Sequence, residues 1–180
     1  MRQPSGSTDK RTKGTKAMQR IIPCLWFDSN AEEAVSFYTT VFENSKIRNV
    51  SRYGEAGHEI HGKGAGTVMT IEFEIDGQGF TALNGGPLFK FTEAISFQVG
   101  CESQEEVDYY WGKLSQGGDK KAQQCGWLKD KYGVSWQIVP NALGEMLQDK
   151  NSMRSENVMK ALLQMTKIDI AALRRAYQQG

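Results

Sequence analysis

The sequence predicts an α+β protein made of two tandem copies of one strand–helix–strands unit, followed by C-terminal helices. The main observation is a repeat, because the pattern of residues 30–38 recurs 73 positions later in residues 103–111. Each copy opens with a helix-capping side chain, Asn30 or Ser103, and places a glutamate three positions later, as in a capping box. Each copy also follows one apolar, strand-like run and precedes others. These observations indicate a duplicated unit.

The first unit is predicted from periodicity. Residues 67–75 alternate as a half-buried strand does, and Asp76-Gly77 after them is a strong two-residue turn signal. Ala34, Tyr38 and Val41 share one face of a helix. Five glycines in residues 54–66 indicate a loop. The expected order is a strand at 21–27, the helix, and strands at 46–53, 67–75 and 79–84.

The second unit follows the break at residues 85–87, Gly-Gly-Pro. It is predicted to contain a strand at 94–99, a helix at 104–114 and short strands around 121–126, 127–131 and 134–139. After Pro140 the pattern becomes helical, and Asp169 is predicted to cap the last helix. We expect these C-terminal helices to have no core of their own and to pack on the body or on a second subunit.

Composition and charge exclude several classes of protein. The whole chain carries +1 and its first 17 residues carry +4, so the other 163 residues sum to −3, which argues against a nucleic-acid surface. Residues 1–17 are interpreted as a disordered or vector-derived leader. No apolar run reaches the roughly 20 residues of a membrane helix. Three cysteines without a Cys-x-x-Cys pair favour the reducing cytoplasm. Cys24, in a strand-like run, is interpreted as a core residue.

Several motifs resemble one protein family. Residues 22–28, 83–87, 89–91 and 132–140, with the helical segment 158–165, are similar to motifs of the PhnB-like family, often labelled "3-demethylubiquinone-9 3-methyltransferase". That family belongs to the vicinal oxygen chelate (glyoxalase/bleomycin resistance/dioxygenase) superfamily. The resemblance implies two βαβββ modules, about 18–87 and 88–140, that form a cup-shaped curved mixed sheet. Residues 141–180 are then a C-terminal helical extension, and a homodimer is expected.

The same resemblance indicates where metal-dependent relatives hold their ion. Those positions fall on Pro23, Asn84, Ala94 (Ser96 if the register slips by two) and Gln137, none of which is a histidine or a carboxylate. We therefore expect no metal cofactor, because neutral amides are weak ligands for transition metals. The alternative is a metal bound by His58 and His61, the only histidines of the chain, in the glycine-rich loop.

A candidate ligand-binding cup follows from period-2 alternation along the strands. Its members share one face of each strand and combine apolar walls with neutral polar groups, as small-molecule pockets do. Trp127 is predicted to lie at the rim. The complete set is Pro23, Leu25, Phe27, Ala82, Asn84, Ala94, Ser96, Gln98, Trp127, Ser135 and Gln137.

Three functions are compatible with the sequence. The first is a metal-independent small-molecule-binding protein whose ligand is unknown. The second is an enzyme of the same superfamily: a lyase, an isomerase, a dioxygenase or the methyltransferase of the family label. A methyltransferase or nucleotide cofactor loop is not indicated, because the glycine-rich segment 62–66 precedes a strand rather than a helix. The third is an interaction protein that docks through its C-terminal helices; nucleic-acid and membrane partners are not expected.

Overall fold

A computed structural model describes residues 21–180, so the predicted leader at 1–17 lies outside the described residues. The elements are β1 (Cys24–Phe27), α1 (Ala31–Val41), β2 (Lys46–Arg52), α2 (His58–His61), β3 (Val68–Ile75), β4 (Gln78–Asn84), β5 (Phe97–Cys101), α3 (Gln104–Leu114), β6 (Trp127–Lys129), β7 (Ser135–Pro140), α4 (Asn141–Leu147), α5 (Ser152–Leu162) and α6 (Ile170–Gln178). Within residues 21–180, no helix is long and apolar enough to cross a membrane.

The strands form two mixed sheets, which confirms the predicted α+β fold. The first sheet has the order β1-β4-β3-β2 and the second has the order β5-β7-β6. In each unit the first strand runs parallel to the last, β1 beside β4 and β5 beside β7, with a helix in the crossover. The turn at Asp76-Gly77 joins β3 to β4 as predicted, and both residues have the positive φ (46° and 76°) that this tight hairpin requires.

The second sheet has one strand fewer than the sequence predicts. The expected strand at 121–126 is replaced by a 3-10 turn at Lys120–Ala122 and a single bridge from Gln124 to Trp127. The cause lies in the next two residues, Cys125 and Gly126, whose φ angles of 52° and 87° turn the chain away from the sheet. Their amides donate instead to carbonyls of residues 165 and 166, between the last two helices.

The two helix starts differ in how they are capped. Ser103 caps α3 as predicted, because its hydroxyl accepts from the Glu106 amide, and the Glu106 carboxylate accepts from the Glu102 amide. Asn30 makes no side-chain cap for α1. The Asn84 side chain at the end of β4 supplies that cap, because it accepts from the Ala31 amide at 2.9 Å. A tertiary contact thus replaces a local one.

The main core lies where the helix-covered faces of the two sheets meet. Tyr38 of α1 is fully buried and its ring contacts Trp136 of the second sheet, while Phe80 of the first sheet contacts Phe97 of the second. The repeated units therefore share one continuous core, and neither sheet buries its apolar face alone.

The C-terminal helices form a small core of their own, which corrects the expectation that they have none. Its buried members come from α4, α5, α6 and the connection between α5 and α6: Leu143, Met146, Val158, Leu162, Ile168 and Leu173. Partly buried Cys125 and Val139 of the second unit pack against this core, so the extension docks in cis. The apolar stripes of the extension therefore do not require a second subunit.

Candidate functional site

The predicted cup residues of the first unit lie on the helix-covered face of its sheet. Leu25 pairs with Ala82 and Phe27 with Asn84, so these four residues do share one face, as alternation requires. All four are buried in the main core or at its edge. Cys24, interpreted from the sequence as a core residue, is exposed on the opposite face. The reason is that Leu25 and Phe27 are the larger apolar side chains and take the covered side.

Asn84 satisfies all of its hydrogen-bonding groups within the protein. Besides accepting from the Ala31 amide, it donates to the Glu32 carboxylate at 2.7 Å and to the Val68 carbonyl at 3.1 Å. A buried amide with three partners contributes to stability, because an unpaired one would cost about 1–3 kcal/mol. The observed contacts of Asn84 therefore account for its burial without a ligand.

Three of the predicted residues of the second unit lie together on the face of the second sheet opposite the core. Gln98, Gln137 and Trp127 sit side by side on the three strands. The Gln137 amide donates to the Ser96 hydroxyl at 2.8 Å, so these two neutral polar groups are paired with each other. Trp127 is half-buried and lines a separate hollow beside Cys125.

A pocket of about 390 Å³ lies at the seam between the two units. It brings together four of the predicted residues, two from the start of the first unit and two from the second: Pro23, Leu25, Ala94 and Ser135. The segment Lys90–Ile95, which connects the units, forms one side of the pocket, and Phe97 and Val134 contribute further apolar surface. The volume lies near the lower end of small-molecule pockets, which range over about 300–1,000 Å³.

Ser135 is the one pocket residue with an unsatisfied buried group. Only 2% of the residue is exposed, and its hydroxyl has no hydrogen-bond partner among residues 21–180. Leaving a buried hydroxyl unpaired costs about 1–3 kcal/mol, so buried hydroxyls are nearly always paired with protein, water or ligand. The pocket lining therefore includes one buried polar group that has no protein partner within residues 21–180.

One charge at the pocket is also free. Lys90 is the single charged residue that lines it, and Lys90 forms no ion pair within the described part of the chain. The nearby Glu93 is bound to Lys129, and that hydrogen bond holds the pKa of Glu93 below its usual range. The acid of the connecting segment is thus already paired, and Lys90 leaves the rim positive.

Asp130, which the sequence analysis did not single out, joins the two units beside the pocket. One carboxylate oxygen accepts from the Tyr38 hydroxyl and the Trp136 indole, both at 2.8 Å. The other accepts from the amides of Tyr132 and Val134 at 2.8 and 3.0 Å. Burial raises the pKa of Asp130, although these four hydrogen bonds act to lower it. In the sequence, the position of an acidic residue in the turn just before the last strand was the indication of this role.

The two histidines of the alternative metal site lie in the short helix α2, and the His61 ring makes contacts of its own. The His61 ring uses both nitrogens, because Nδ1 accepts from the Lys63 amide at 3.0 Å and Nε2 lies 3.3 Å from the Ala56 carbonyl. Its ring also packs against Tyr53 at 4.4 Å between centroids. Across residues 21–180, no three histidine, cysteine or acidic side chains lie close enough together to hold a metal ion.

The connecting segment that forms part of the pocket was also missed as a site. Lys90, Phe91 and Thr92 line the pocket, but they lie in an irregular stretch where alternation gives no face. The signal was present in the sequence, since Phe89-Lys90-Phe91 is among the motifs that resemble the PhnB-like family. Its position over the seam follows from contacts such as that of Phe91 with Phe27.

Comparison with known proteins identifies a family and similar solved structures. The family model described as "3-demethylubiquinone-9 3-methyltransferase" matches residues 19–139. The PhnB protein from Bacillus cereus is 39% identical; the alignment covers 68% of this chain and 99% of that protein, with a TM-score of 0.59. Protein PA1353 from Pseudomonas aeruginosa is 18% identical over 68% of this chain and 98% of its own, with a TM-score of 0.53. The fosfomycin resistance protein FosX from Listeria monocytogenes is 18% identical over 74% of this chain and 99% of its own, with a TM-score of 0.49. No curated protein matches the chain.

Proposed function

The chain belongs to the 3-demethylubiquinone-9 3-methyltransferase (PhnB-like) family of the vicinal oxygen chelate superfamily, and we propose that it is a metal-independent small-molecule-binding protein. The pocket at the seam between the two units is its proposed binding site. The observation that carries the proposal is the buried, unpartnered hydroxyl of Ser135 in a mainly apolar pocket of ligand size. Ligand pockets generally combine such apolar walls with a few polar groups that fix orientation.

Metal independence rests on the residues at the positions where relatives bind an ion. Pro23 and Ala94 offer no side-chain ligand, and Asn84 is fully engaged by Ala31, Glu32 and Val68. Gln137 is paired with Ser96. These side chains do not fit a divalent transition metal, which is bound by histidine, thiolate or carboxylate groups.

Binding is tested by thermal unfolding of the full chain against a panel of metabolites and antibiotics. A ligand that binds only the folded state raises the unfolding temperature in proportion to the logarithm of its concentration. The matched variant Ser135→Ala removes the unpaired hydroxyl, and the observed stabilisation should then decrease. No stabilising ligand together with measurable turnover of a substrate would contradict the proposal.

Metal independence is tested by elemental analysis of the purified protein. We expect less than stoichiometric transition metal, and no loss of ligand binding after treatment with a chelator. A bound metal that disappears in a His58→Ala or His61→Ala variant would favour the enzyme alternative instead. The methyltransferase of the family label has less support, because the segment Gly62–Gly66 leads into strand β3 and not into a helix that could face a cofactor phosphate or carboxylate.

A two-fold homodimer is also proposed, on evidence other than the C-terminal helices. Large apolar side chains are exposed on strand β2, which lies at the edge of the first sheet: Ile47 and Val50. Exposed apolar groups at a sheet edge are typical of surfaces that another chain covers. Light scattering on the intact chain should give twice the monomer mass.

A cytoplasmic location is proposed because all three cysteines are free.

A further inference from the structure

We infer that the pocket at the seam binds a small amphipathic monoanion, with its apolar body between the two units and its negative group beside Lys90. This inference rests on the proposed binding function and names the ligand class for that same site. The chemistry of the pocket walls, the charge at the rim and the pairing of the neighbouring charges support it.

The walls select an apolar body. Leu25, Phe97 and Val134 pack into the main core on one side and line the pocket on the other, and Pro23 adds a further apolar surface. Ile95 is 74% exposed on the connecting segment that borders the pocket. An apolar ligand would remove such surface from water, which is the main favourable contribution to binding in pockets of this kind.

The rim selects a negative group. Lys90 is the only charged residue lining the pocket, and it has no carboxylate partner within residues 21–180. The acid closest along the chain, Glu93, is paired with Lys129 and so does not neutralise Lys90. A ligand with one negative charge would therefore meet one free positive charge, whereas a cationic ligand would be repelled.

The volume of the pocket limits the size of the ligand. A pocket of about 390 Å³ has room for a metabolite-sized molecule and not for a long-chain lipid. A hydroxyl can both donate and accept a hydrogen bond, and that of Ser135, buried in the pocket lining, has no other partner within residues 21–180. Medium-chain or aromatic carboxylates combine these properties.

The experiment compares octanoate with 1-octanol, which have the same apolar chain and differ in charge. Binding to the full chain is measured by calorimetry at low and high salt. Octanoate should bind about tenfold more tightly than 1-octanol at low salt, and salt should reduce the difference because the charge at the rim is exposed to solvent. Lys90→Met should abolish the difference, and Lys160→Met, which removes an exposed lysine of α5, should preserve it.

A second variant locates the site. Ala94 is exposed but borders the pocket, so Ala94→Trp should fold normally and obstruct both octanoate and 1-octanol. Equal binding of the two probes, unaffected by Lys90→Met, would overturn the anion preference and leave the proposed binding function standing. If neither probe binds while another molecule of the panel stabilises the protein, the ligand class is wrong. If nothing in the panel binds, the proposed function fails as well.

Discussion

The contact between the two units at Asp130 can be tested by the isosteric variant Asp130→Asn. In the wild type, one carboxylate oxygen accepts hydrogen bonds from two backbone amides, and the other accepts from the Tyr38 hydroxyl and the Trp136 indole. In the variant, the remaining carbonyl oxygen can still accept from the amides. The new amide nitrogen then faces the other two donors.

The expected magnitude follows from what each donor can do. The Tyr38 hydroxyl can rotate and accept from the new amide, but the indole of Trp136 is only a donor and loses its partner. A hydrogen bond to a charged group contributes about 1.5–3 kcal/mol, and part of its loss is offset because the variant no longer buries a charge. We therefore expect the free energy of unfolding to fall by about 2 kcal/mol.

Urea unfolding at neutral pH, followed by tryptophan fluorescence, measures this change. The matched control is Asp149→Asn, because Asp149 also accepts from a tyrosine hydroxyl, that of Tyr177, but is only half-buried. The control should unfold at nearly the same urea concentration as the wild type. If Asp130→Asn behaves like the control, the network at Asp130 does not join the units energetically and the reasoning is refuted.

Three further predictions concern the pH dependence of stability, the Asn84 cap and the packing of the C-terminal helices. Because burial raises the pKa of Asp130, the folded state binds the carboxyl proton more tightly than the unfolded state does. The free energy of unfolding of the wild type, relative to that of Asp130→Asn, should therefore increase as pH falls through that pKa. Parallel urea titrations of the two proteins measure this difference, and a difference that does not change with pH would contradict the prediction. Asn84→Asp places a second carboxylate beside Glu32 and should cost about 2 kcal/mol at pH 7, with part recovered at pH 4 when carboxyl groups protonate. Ile168→Ala should lower the free energy of unfolding by about 2–5 kcal/mol, because Ile168 is completely buried. The control Leu163→Ala should lower it far less, because Leu163 is 54% exposed. Equal unfolding midpoints of the two variants would show that the extension does not stabilise the body.

Much of the fold could be predicted because its signals are local. Alternation along residues 67–75 and the turn at Asp76-Gly77 indicate β3 and its hairpin without tertiary information. The strand expected at 121–126 could not be excluded in this way. Its amides bond to carbonyls about forty positions further along the chain, and such a competition is invisible in a local pattern.

The face assignment in the first unit shows a different limit. Alternation correctly groups Leu25 with Ala82 and Phe27 with Asn84, because neighbouring strands in register present the same face. It does not say which of the two faces the helix covers. That choice follows from total apolar burial: Leu25 and Phe27 join the core, and Cys24 is left exposed.

The candidate site was only partly predictable, because it belongs to no single element. Leu25 comes from the first strand and Pro23 directly precedes it, while Ser135 comes from the last strand and Lys90 from a connection without regular structure. Alternation along the strands could predict the strand residues of the pocket. The pocket itself forms because the two units pack through their helix-covered faces and the connecting segment lies over the junction. The pairing of Glu93 with Lys129 is a consequence of the same packing, and it leaves Lys90 as the free charge at the rim. The charge preference of the pocket is therefore a property of how the repeated units meet, and a substitution that separates Glu93 from Lys129 should weaken that preference even though neither residue is the free cation.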